Sequence, residues 1–300
     1  MQIEQENAER IIFAPAKINL YLNILERYKT GYHSIDSLVV FCDIGDEIKI
    51  EPSEDFQLKL TGPFSRYLLD KTDNLNLVTR AATSYADIAQ KPLDFKITLT
   101  KNLPVAAGLG GGSSDAAATI CGLRQIWQLP ENEEYLGALL LNLGADVPVC
   151  MRCEPSHISN KGQVINLAPP MPEIPVVLVN PLKPCPTQDV FTRFKGPFKE
   201  STLETLPDSF DTIYDLVAFI KKQDNDLYEP ATQLVPEIKN IVSALSLQNG
   251  CLISRMSGSG ASVFALFENE ESAQNAQKHI SEENPDWWVK QGWINRVERY

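Results

Sequence analysis

The sequence predicts an α+β protein built from two domains, and three observations support this prediction. The chain has 300 residues, which is longer than one hydrophobic core usually organises. Strand-like alternation and helical spacing of apolar residues occur in separate blocks, without a repeated strand–helix–strand order, and this favours α+β packing. Four prolines cluster between residues 169 and 175, as is typical of a linker. We therefore expect domains at 1–168 and 169–300.

The first half reads as a block of strands followed by helices. Apolar residues that alternate with period two predict strands, and apolar residues three and four apart predict amphipathic helices. The predicted strands are 11–25, 37–41, 47–50, 56–61 and 95–99, and the predicted helices are 74–89, 115–128 and 133–143. The last of these helices is expected to end at Gly144, because glycine readily adopts the left-handed conformation of a helix C-terminal cap.

The second half contains the same two kinds of element. The predicted strands are 176–179, 251–256, 261–267 and 287–297, and the predicted helices are 210–222, 231–247 and 271–281. No internal repeat and no low-complexity tract interrupts them.

The charge balance excludes some classes of partner. The chain carries 39 acidic and 27 basic side chains, a net charge of −12. Such a chain gains little from releasing counterions around a polyanion, so we expect no nucleic-acid partner and no binding to an anionic membrane. The N-terminal MQIEQENAER lacks the features of a signal peptide, and the apolar stretch 136–150 is too short and too polar to span a bilayer.

Cysteine usage points to the cytoplasm. Six cysteines at irregular spacing predict reduced thiols rather than a disulfide framework. Cys150 and Cys153 form a single CxxC without a second pair or a neighbouring histidine, and we interpret them as a buried pair at a strand end rather than a metal or redox site. We therefore expect a cytoplasmic protein.

A glycine-rich segment between a predicted strand and a predicted helix carries the strongest local signal. Glycines let a ligand approach the backbone, and the helix start offers unpaired N–H groups and the positive end of its dipole. These are the requirements of a phosphate-binding loop, whereas a tight turn needs fewer glycines. The loop comprises Pro104, Val105, Ala106, Ala107, Gly108, Leu109, Gly110, Gly111, Gly112, Ser113 and Ser114. It is neither a Walker A loop nor a GxGxxG motif. The two serines could cap the helix or bind a phosphate-bound Mg²⁺.

Two further segments place polar groups beside apolar runs. On the first strand, period two puts Lys17, Asn19 and Tyr21 on one face, which is either a solvated surface or a functional one. Asp146 follows Gly144 at a turn and is either a simple cap or a proton acceptor. If Asp146 lies near Lys17, the two form a pair suited to phosphoryl transfer.

The segment between the strands 251–256 and 261–267 is a run of small residues, Met256-Ser-Gly-Ser-Gly-Ala261. A hairpin turn alone needs fewer small residues than this. We therefore expect another stretch of backbone or a ligand to come close to it.

Together these segments resemble the GHMP kinases. Three motifs occur in the family's order: Pro15-Ala-Lys17-Ile-Asn19, the loop 104–114 and the loop 256–261. Within the family, the chain resembles more closely a kinase of non-mevalonate isoprenoid synthesis whose alcohol substrate carries a cytidine diphosphate. That closer resemblance rests on Gly31-Tyr32-His33, Gly144-Ala-Asp146-Val-Pro148, Asn180-Pro181, Pro186-Thr187, Phe191 and the segment 225–229.

The resemblance implies both a fold and an activity. The fold would pair an N-terminal domain like domain 2 of ribosomal protein S5 with a C-terminal ferredoxin-like domain, with the active site in the cleft between them. The activity would be ATP-dependent phosphorylation of a small alcohol, with Mg²⁺, by a monomer or homodimer. Asp146 would take the proton from the hydroxyl, Lys17 would orient Asp146 and stabilise the transferring group, and the loop 104–114 would hold ATP.

The resemblance also implies how the substrate is recognised. Tyr32 and Phe191 would sandwich the cytosine ring and His33 would bind its polar edge, since only edge contacts select one base. Asn19 and Thr187 would complete the substrate site. The Mg²⁺ ligands are not assigned by any motif.

The chain departs from the family pattern at two places. Thr30 stands where an aspartate usually precedes Gly-Tyr-His, and Asn160-Lys161-Gly162-Gln163 replaces a Gly-x-Gly-Glu stretch. The alternatives are a kinase of the homoserine or mevalonate type and an inactive nucleotide-binding relative.

The motif segments 11–33, 101–115, 140–163, 180–196 and 251–267 carry a total charge of +5, so the other residues carry −17. The acidic composition therefore does not exclude anionic small molecules.

Overall fold

A computed structural model of the chain describes residues 9–68, 76–130, 135–202, 206–297 and 300. The first half begins with two long strands and alternates strands and helices after them. Its elements are β1 (Arg10–Arg27), β2 (His33–Pro52), β3 (Gln57–Thr61), a 3-10 turn (Ser65–Leu68), α1 (Leu77–Ala89), β4 (Phe95–Thr100), α2 (Gly111–Trp127), α3 (Leu136–Leu143), α4 (Val147–Arg152), β5 (Ser156–Asn160) and β6 (Val164–Leu167).

The second half contains more helix. Its elements are β7 (Ile174–Asn180), α5 (Thr187–Arg193), α6 (Ile213–Ile220), α7 (Tyr228–Leu234), α8 (Glu237–Ser246), β8 (Cys251–Met256), β9 (Val263–Phe267), α9 (Glu270–Glu283) and β10 (Trp288–Ile294). No helix among these described residues is long and apolar enough to cross a membrane.

Most predicted elements are confirmed, and the differences have physical reasons. The predicted strands 37–41 and 47–50 are one strand, β2, because β1 pairs with it from Arg10↔Ile50 to Arg27↔His33 and carries it through the polar residues between them. The predicted helix 231–247 divides into α7 and α8 at Val235 and Pro236, where proline lacks an amide hydrogen and restricts the residue before it. The predicted starts of the helices 74–89 and 133–143 lie outside the described residues.

One sheet joins strands from both halves. Its main path runs β3-β4-β2-β10-β7-β9-β8, with β1 paired to β2 and β5 paired to β2 and β6. Only β3 and β4 are parallel among the recorded strand pairs of the described chain. Within the sheet, β10 and β2 link the halves through a single residue pair, Ile294 with Cys42, and an isolated bridge joins Leu22 of β1 to Asn225. The division into domains at 1–168 and 169–300 stays a prediction.

The core consists of separate clusters that hold the layers together. One cluster packs α1, α2 and α3 against β1, β2 and β4, and a second packs α7, α8 and α9 against β7 and β9. A third cluster contains Ile18 and Leu38 from the first half with Val176, Leu178 and Phe264 from the second. The buried apolar surface of this third cluster fixes the two halves relative to each other.

Candidate active site

A cleft of about 1130 Å³ collects the segments that the sequence singled out. It is bounded by β1, the glycine loop, the turn before β2, the start of α4, α5 and the loop between β8 and β9. Its lining includes Lys17, Asn19, Tyr32, His33, Asp146, Thr187 and Phe191. Within the glycine loop, Leu109 and Ser114 are buried and do not line the cleft.

Lys17 lines this cleft and is held by two polar neighbours. Its Nζ lies 3.0 Å from Oδ2 of Asp146 and donates a hydrogen bond of 2.8 Å to Oδ1 of Asn19. The Lys17 side chain is only 6% exposed, whereas that of Asp146 is 37% exposed. The lysine is therefore fixed inside the protein while the carboxylate remains open to a ligand. The sequence alone left open whether Lys17 and Asp146 lie near each other, and in the structure they are in contact.

The neighbours of Lys17 are fixed in turn. Asn19 donates from Nδ2 to Oγ of Ser37 at 2.8 Å, and its backbone N–H donates to Oγ of Ser257 at 3.1 Å. The prediction that Tyr21 shares this polar face is wrong. A register shift between Asn19 and Tyr21 turns the strand, so Tyr21 packs in the core and its hydroxyl lies 2.6 Å from Oγ1 of Thr202.

The glycine loop leads directly into a helix N-terminus. Helix α2 begins at Gly111, four residues before the predicted start, with Gly110 as its N-cap at φ 63° and no side-chain cap. A Cβ on Gly110 would lie 3.0 Å from Cβ of Lys17, so glycine allows the loop and β1 to come this close. The first amides of α2 have no acceptor within the helix and lie in the cleft lining, which suits an anion.

The two serines of the loop do not cap α2, so the capping interpretation is wrong. Ser113 lines the cleft. Ser114 is fully buried, and its Oγ lies 3.5 Å from the hydroxyl of Tyr300. Only Ser113 is placed to meet a ligand in the cleft.

The loop between β8 and β9 supports the glycine loop from the second half of the chain. Ser262 donates its backbone N–H to the carbonyl of Ala107 at 3.1 Å, and Oγ of Ser257 donates to the carbonyl of Gly108 at 3.0 Å. A Cβ on Gly108 would lie 2.5 Å from the carbonyl oxygen of Ser257. The predicted close approach of another backbone is confirmed, and it explains the excess of small residues.

The other end of the cleft is aromatic. The rings of His33 and Phe191 lie 5.3 Å apart between centroids, and Tyr32 is 65% exposed. Nε2 of His33 is buried and has no hydrogen-bond partner among the described residues. Burial lowers the pKa of His33, and the nearby charge of Arg27 lowers it further. Thr187 begins α5 here, with Oγ1 2.8 Å from Oγ of Ser259.

A buried ion cluster under the glycine loop was missed by sequence reasoning. Nζ of Lys101 lies 2.5 Å from Oδ2 of Asp46 and 2.6 Å from Oδ2 of Asp115. Oδ1 of Asp46 also accepts the backbone amides of Asn102 and Leu103. Burial raises the pKa of Asp115 to about 8 despite the lysine. These residues are far apart in sequence, so no spacing pattern could have revealed them.

Two other interpretations from the sequence need correction. Asp146 occupies the N-cap position of α4 but its side chain makes no capping hydrogen bond, so it is not a simple cap. Cys150 lies within α4 and Cys153 ends it, so they are buried at a helix end rather than a strand end. All six cysteines are free thiols, and within the described residues no group of three or more His, Cys, Asp or Glu could hold a metal ion.

Two family profiles and a set of named relatives match this chain. The profile of GHMP kinases N terminal domain matches residues 76–154, and that of GHMP kinases C terminal matches residues 212–286. The 4-diphosphocytidyl-2-C-methyl-D-erythritol kinase of Cereibacter sphaeroides is 44% identical over 278 residues, covering 92% of this chain and 96% of that protein.

Solved structures show the same fold. A crystal structure of 4-(cytidine 5'-diphospho)-2C-methyl-D-erythritol kinase superposes with a TM-score of 0.74 at 29% identity, covering 95% of this chain and 98% of that one. The homoserine kinase of Cytophaga hutchinsonii, at 17% identity and a TM-score of 0.73 over 100% of this chain and 98% of its own, shares the fold alone. From the two profiles and the similarity over nearly the whole length, the chain belongs to the GHMP kinase family.

Proposed function

We propose that this protein transfers the γ-phosphoryl group of ATP to the 2-hydroxyl of 4-(cytidine 5'-diphospho)-2-C-methyl-D-erythritol, giving the 2-phosphate and ADP in the non-mevalonate route to isoprenoid precursors. The observation that carries this proposal is the pairing of Lys17 with Asp146, at 3.0 Å, in the same cleft as an uncapped helix N-terminus and an aromatic pocket. The 44% identical relative bears the name of this kinase.

Catalysis in this scheme depends on position and charge. Asp146 accepts the proton of the 2-hydroxyl while the oxygen forms a bond to the γ-phosphorus, and the bond from that phosphorus to the leaving oxygen of ADP breaks. Lys17 orients Asp146 through their contact at 3.0 Å, and its cation offsets the negative charge on the transferring group. The hydrogen bond of 2.8 Å from Lys17 to Asn19 holds the lysine in one rotamer for this task.

The glycine loop is the proposed ATP site. The backbone amides at the start of α2 bind the phosphates, and Ser113 adds a hydroxyl. Mg²⁺ in a kinase is held largely by the substrate's own phosphates, and this cleft fits that arrangement, with the Ser113 hydroxyl and the Asp146 carboxylate as the protein oxygens at hand. When bound, the ion would neutralise phosphate charge.

The aromatic end of the cleft is the proposed cytidine site. Tyr32 and Phe191 stack on the base, and the unpartnered Nε2 of His33 meets its polar edge. Thr187 and Asn19 contact the rest of the substrate. A homoserine or mevalonate substrate has no base to stack, so these residues favour the cytidine substrate over the alternatives within the family.

A coupled assay of ADP release tests this function. We expect turnover with the cytidine diphosphate substrate and none with homoserine or mevalonate. ADP release with only the latter two would contradict the substrate assignment. Absence of ADP release with all three, alongside measurable ATP binding, would identify an inactive nucleotide-binding relative.

Three related expectations stay predictions. They are the domain boundary at 168 and 169, a cytoplasmic location, and a monomeric or homodimeric state. Size-exclusion chromatography with light scattering tests the last of these, because a monomer of this chain has a mass of 33.4 kDa.

A further inference from the structure

The turn between β5 and β6 places a lysine next to the catalytic aspartate. Gly162 in this turn is buried at φ 92°, and a Cβ on it would lie 3.5 Å from the carbonyl oxygen of Ala145. Ala145 directly precedes Asp146. The backbone N–H of Lys161 donates to Oε1 of Gln163 at 2.8 Å, which fixes the turn. The backbone next to Lys161 therefore lies close to the residue that precedes Asp146.

The side chain of Lys161 extends towards the aromatic end of the cleft. Its Nζ lies 5.1 Å from the ring centre of Tyr32 and 5.2 Å from that of Tyr28. Among the described residues no carboxylate lies within ion-pair distance of this ammonium group, and its only recorded partners are these two rings. A cation over an exposed ring is a weak contact, so the group is free to exchange it for a stronger one.

The other lysines of the cleft are already neutralised. Lys17 pairs with Asp146, and Lys101 pairs with both Asp46 and Asp115. Lys161 lines the same cleft and carries an uncompensated charge. An anion bound between the aromatic pocket and the catalytic pair would lie within reach of this charge.

We propose that Lys161 binds the diphosphate of the acceptor substrate, leaving the ring faces of Tyr28 and Tyr32 to do so. This inference rests on the proposed function. A base held at Tyr32 and a hydroxyl held at Asp146 must be joined across the space between them, and Lys161 reaches from the backbone beside Asp146 to the ring of Tyr32. The diphosphate joins those two parts of the substrate, and its charge needs a cation in that space.

Binding of two cytidine ligands tests the assignment. Titration calorimetry would measure the Kd of CDP and of cytidine with the ATP site saturated by a non-hydrolysable ATP analogue, so that CDP reports on the acceptor site only. The variants are Lys161→Met, which keeps the length and loses the charge, and Lys161→Arg, which keeps the charge. Lys29→Met is the matched control, because Lys29 is an exposed lysine in the 28–32 turn that does not line the cleft.

Loss of one charge-assisted contact predicts that Lys161→Met weakens CDP binding about 10- to 100-fold. Cytidine binding should change less than threefold, Lys161→Arg should restore most of the CDP affinity, and Lys29→Met should match the unmodified protein. The KM for the cytidine diphosphate substrate should rise in parallel with the Kd of CDP, at unchanged KM for ATP.

Two results would overturn the inference while the proposed function stands. In the first, the unmodified enzyme phosphorylates the cytidine diphosphate substrate, and the Lys161→Met variant binds CDP with the same Kd as the unmodified enzyme. The other is an equal loss of CDP and cytidine affinity in that variant, which would show that Lys161 acts only by packing on the tyrosines. Failure of the unmodified protein to bind CDP or to use the substrate would instead refute the proposed function, and the inference with it.

Discussion

The ammonium group of Lys17 lies 3.0 Å from the carboxylate of Asp146, although 128 positions separate them in the chain. If Asp146 accepts the substrate proton, Asp146→Asn should lower kcat about 10³-fold, because an amide cannot take up that proton. The KM for ATP should stay within threefold, since the glycine loop is untouched. Steady-state kinetics on the purified variant checks this. A kcat above one tenth of the normal value in Asp146→Asn would show that Asp146 is not the proton acceptor.

The contact between Gly110 and Lys17 gives a second prediction. A methyl group at Gly110 would lie 3.0 Å from Cβ and 3.1 Å from Cε of Lys17, at a backbone φ of 63°. Gly110→Ala should therefore displace Lys17 from Asp146 and lower kcat by about 10²-fold or more, since small displacements of catalytic groups cost this much. The matched control is Gly137→Ala, because a Cβ there meets nothing within 4 Å. Equal kcat in the two variants would contradict the geometric argument.

Sequence patterns predicted the parts of this fold that depend on local periodicity. The long strand β1, the glycine loop and the helices α1, α6 and α9 are visible in the spacing of apolar residues and glycines. Elements whose existence depends on distant partners were not visible. Strand β5 is stabilised by pairing with β2. The periodicity of apolar residues predicted one helix over 231–247 and missed the break at Pro236.

The candidate site shows the same division. The glycine loop stands out as a motif from its own residues, whereas the roles of Lys17 and Asp146 were predicted only from the family resemblance. The position of Tyr21 was mispredicted, since a bulge in the β1–β2 register cannot be read from alternation. The buried cluster around Lys101 joins residues 46, 101 and 115 through tertiary packing alone. Chemistry that is assembled by the fold, rather than by one segment, required the structure.

That cluster gives a third prediction, which concerns stability. Asp46 accepts hydrogen bonds from Lys101 and from two backbone amides, whereas burial raises the pKa of the neighbouring Asp115 to about 8. Asp46→Asn should then lower the free energy of unfolding by about 3 to 5 kcal/mol, the typical effect of breaking a buried ion pair. Asp115→Asn should cost under about 1 kcal/mol, since an amide replaces a largely protonated carboxyl. Urea denaturation at pH 7 compares the two variants. A larger loss of unfolding free energy in Asp115→Asn than in Asp46→Asn would contradict this prediction.

The same cluster predicts a pH dependence. The folded protein keeps a proton on Asp115 up to a pKa of about 8, whereas the unfolded chain loses it at about 4. Between these values the folded state binds more protons, so stability should fall as pH rises through this window. Asp115→Asn should remove that slope. Urea denaturation at several pH values between 4 and 8 tests this, and an identical slope in the two proteins would show that Asp115 titrates normally.

His33 supplies the last prediction, which concerns the charge of the cytidine pocket. Its pKa is lowered mainly by burial and in addition by the cation of Arg27. Removing that cation in Arg27→Gln leaves burial in place but lifts the repulsion, so the pKa of His33 should rise towards the ordinary value of about 6.5. NMR titration of the ring protons measures it, and the variant His33→Gln assigns the signal among the three histidines. Lys29→Gln, which alters a charge in the same turn outside the cleft, should leave the His33 pKa unchanged. A fall of the His33 pKa in Arg27→Gln would mean that Arg27 stabilises the protonated ring, which would contradict this prediction.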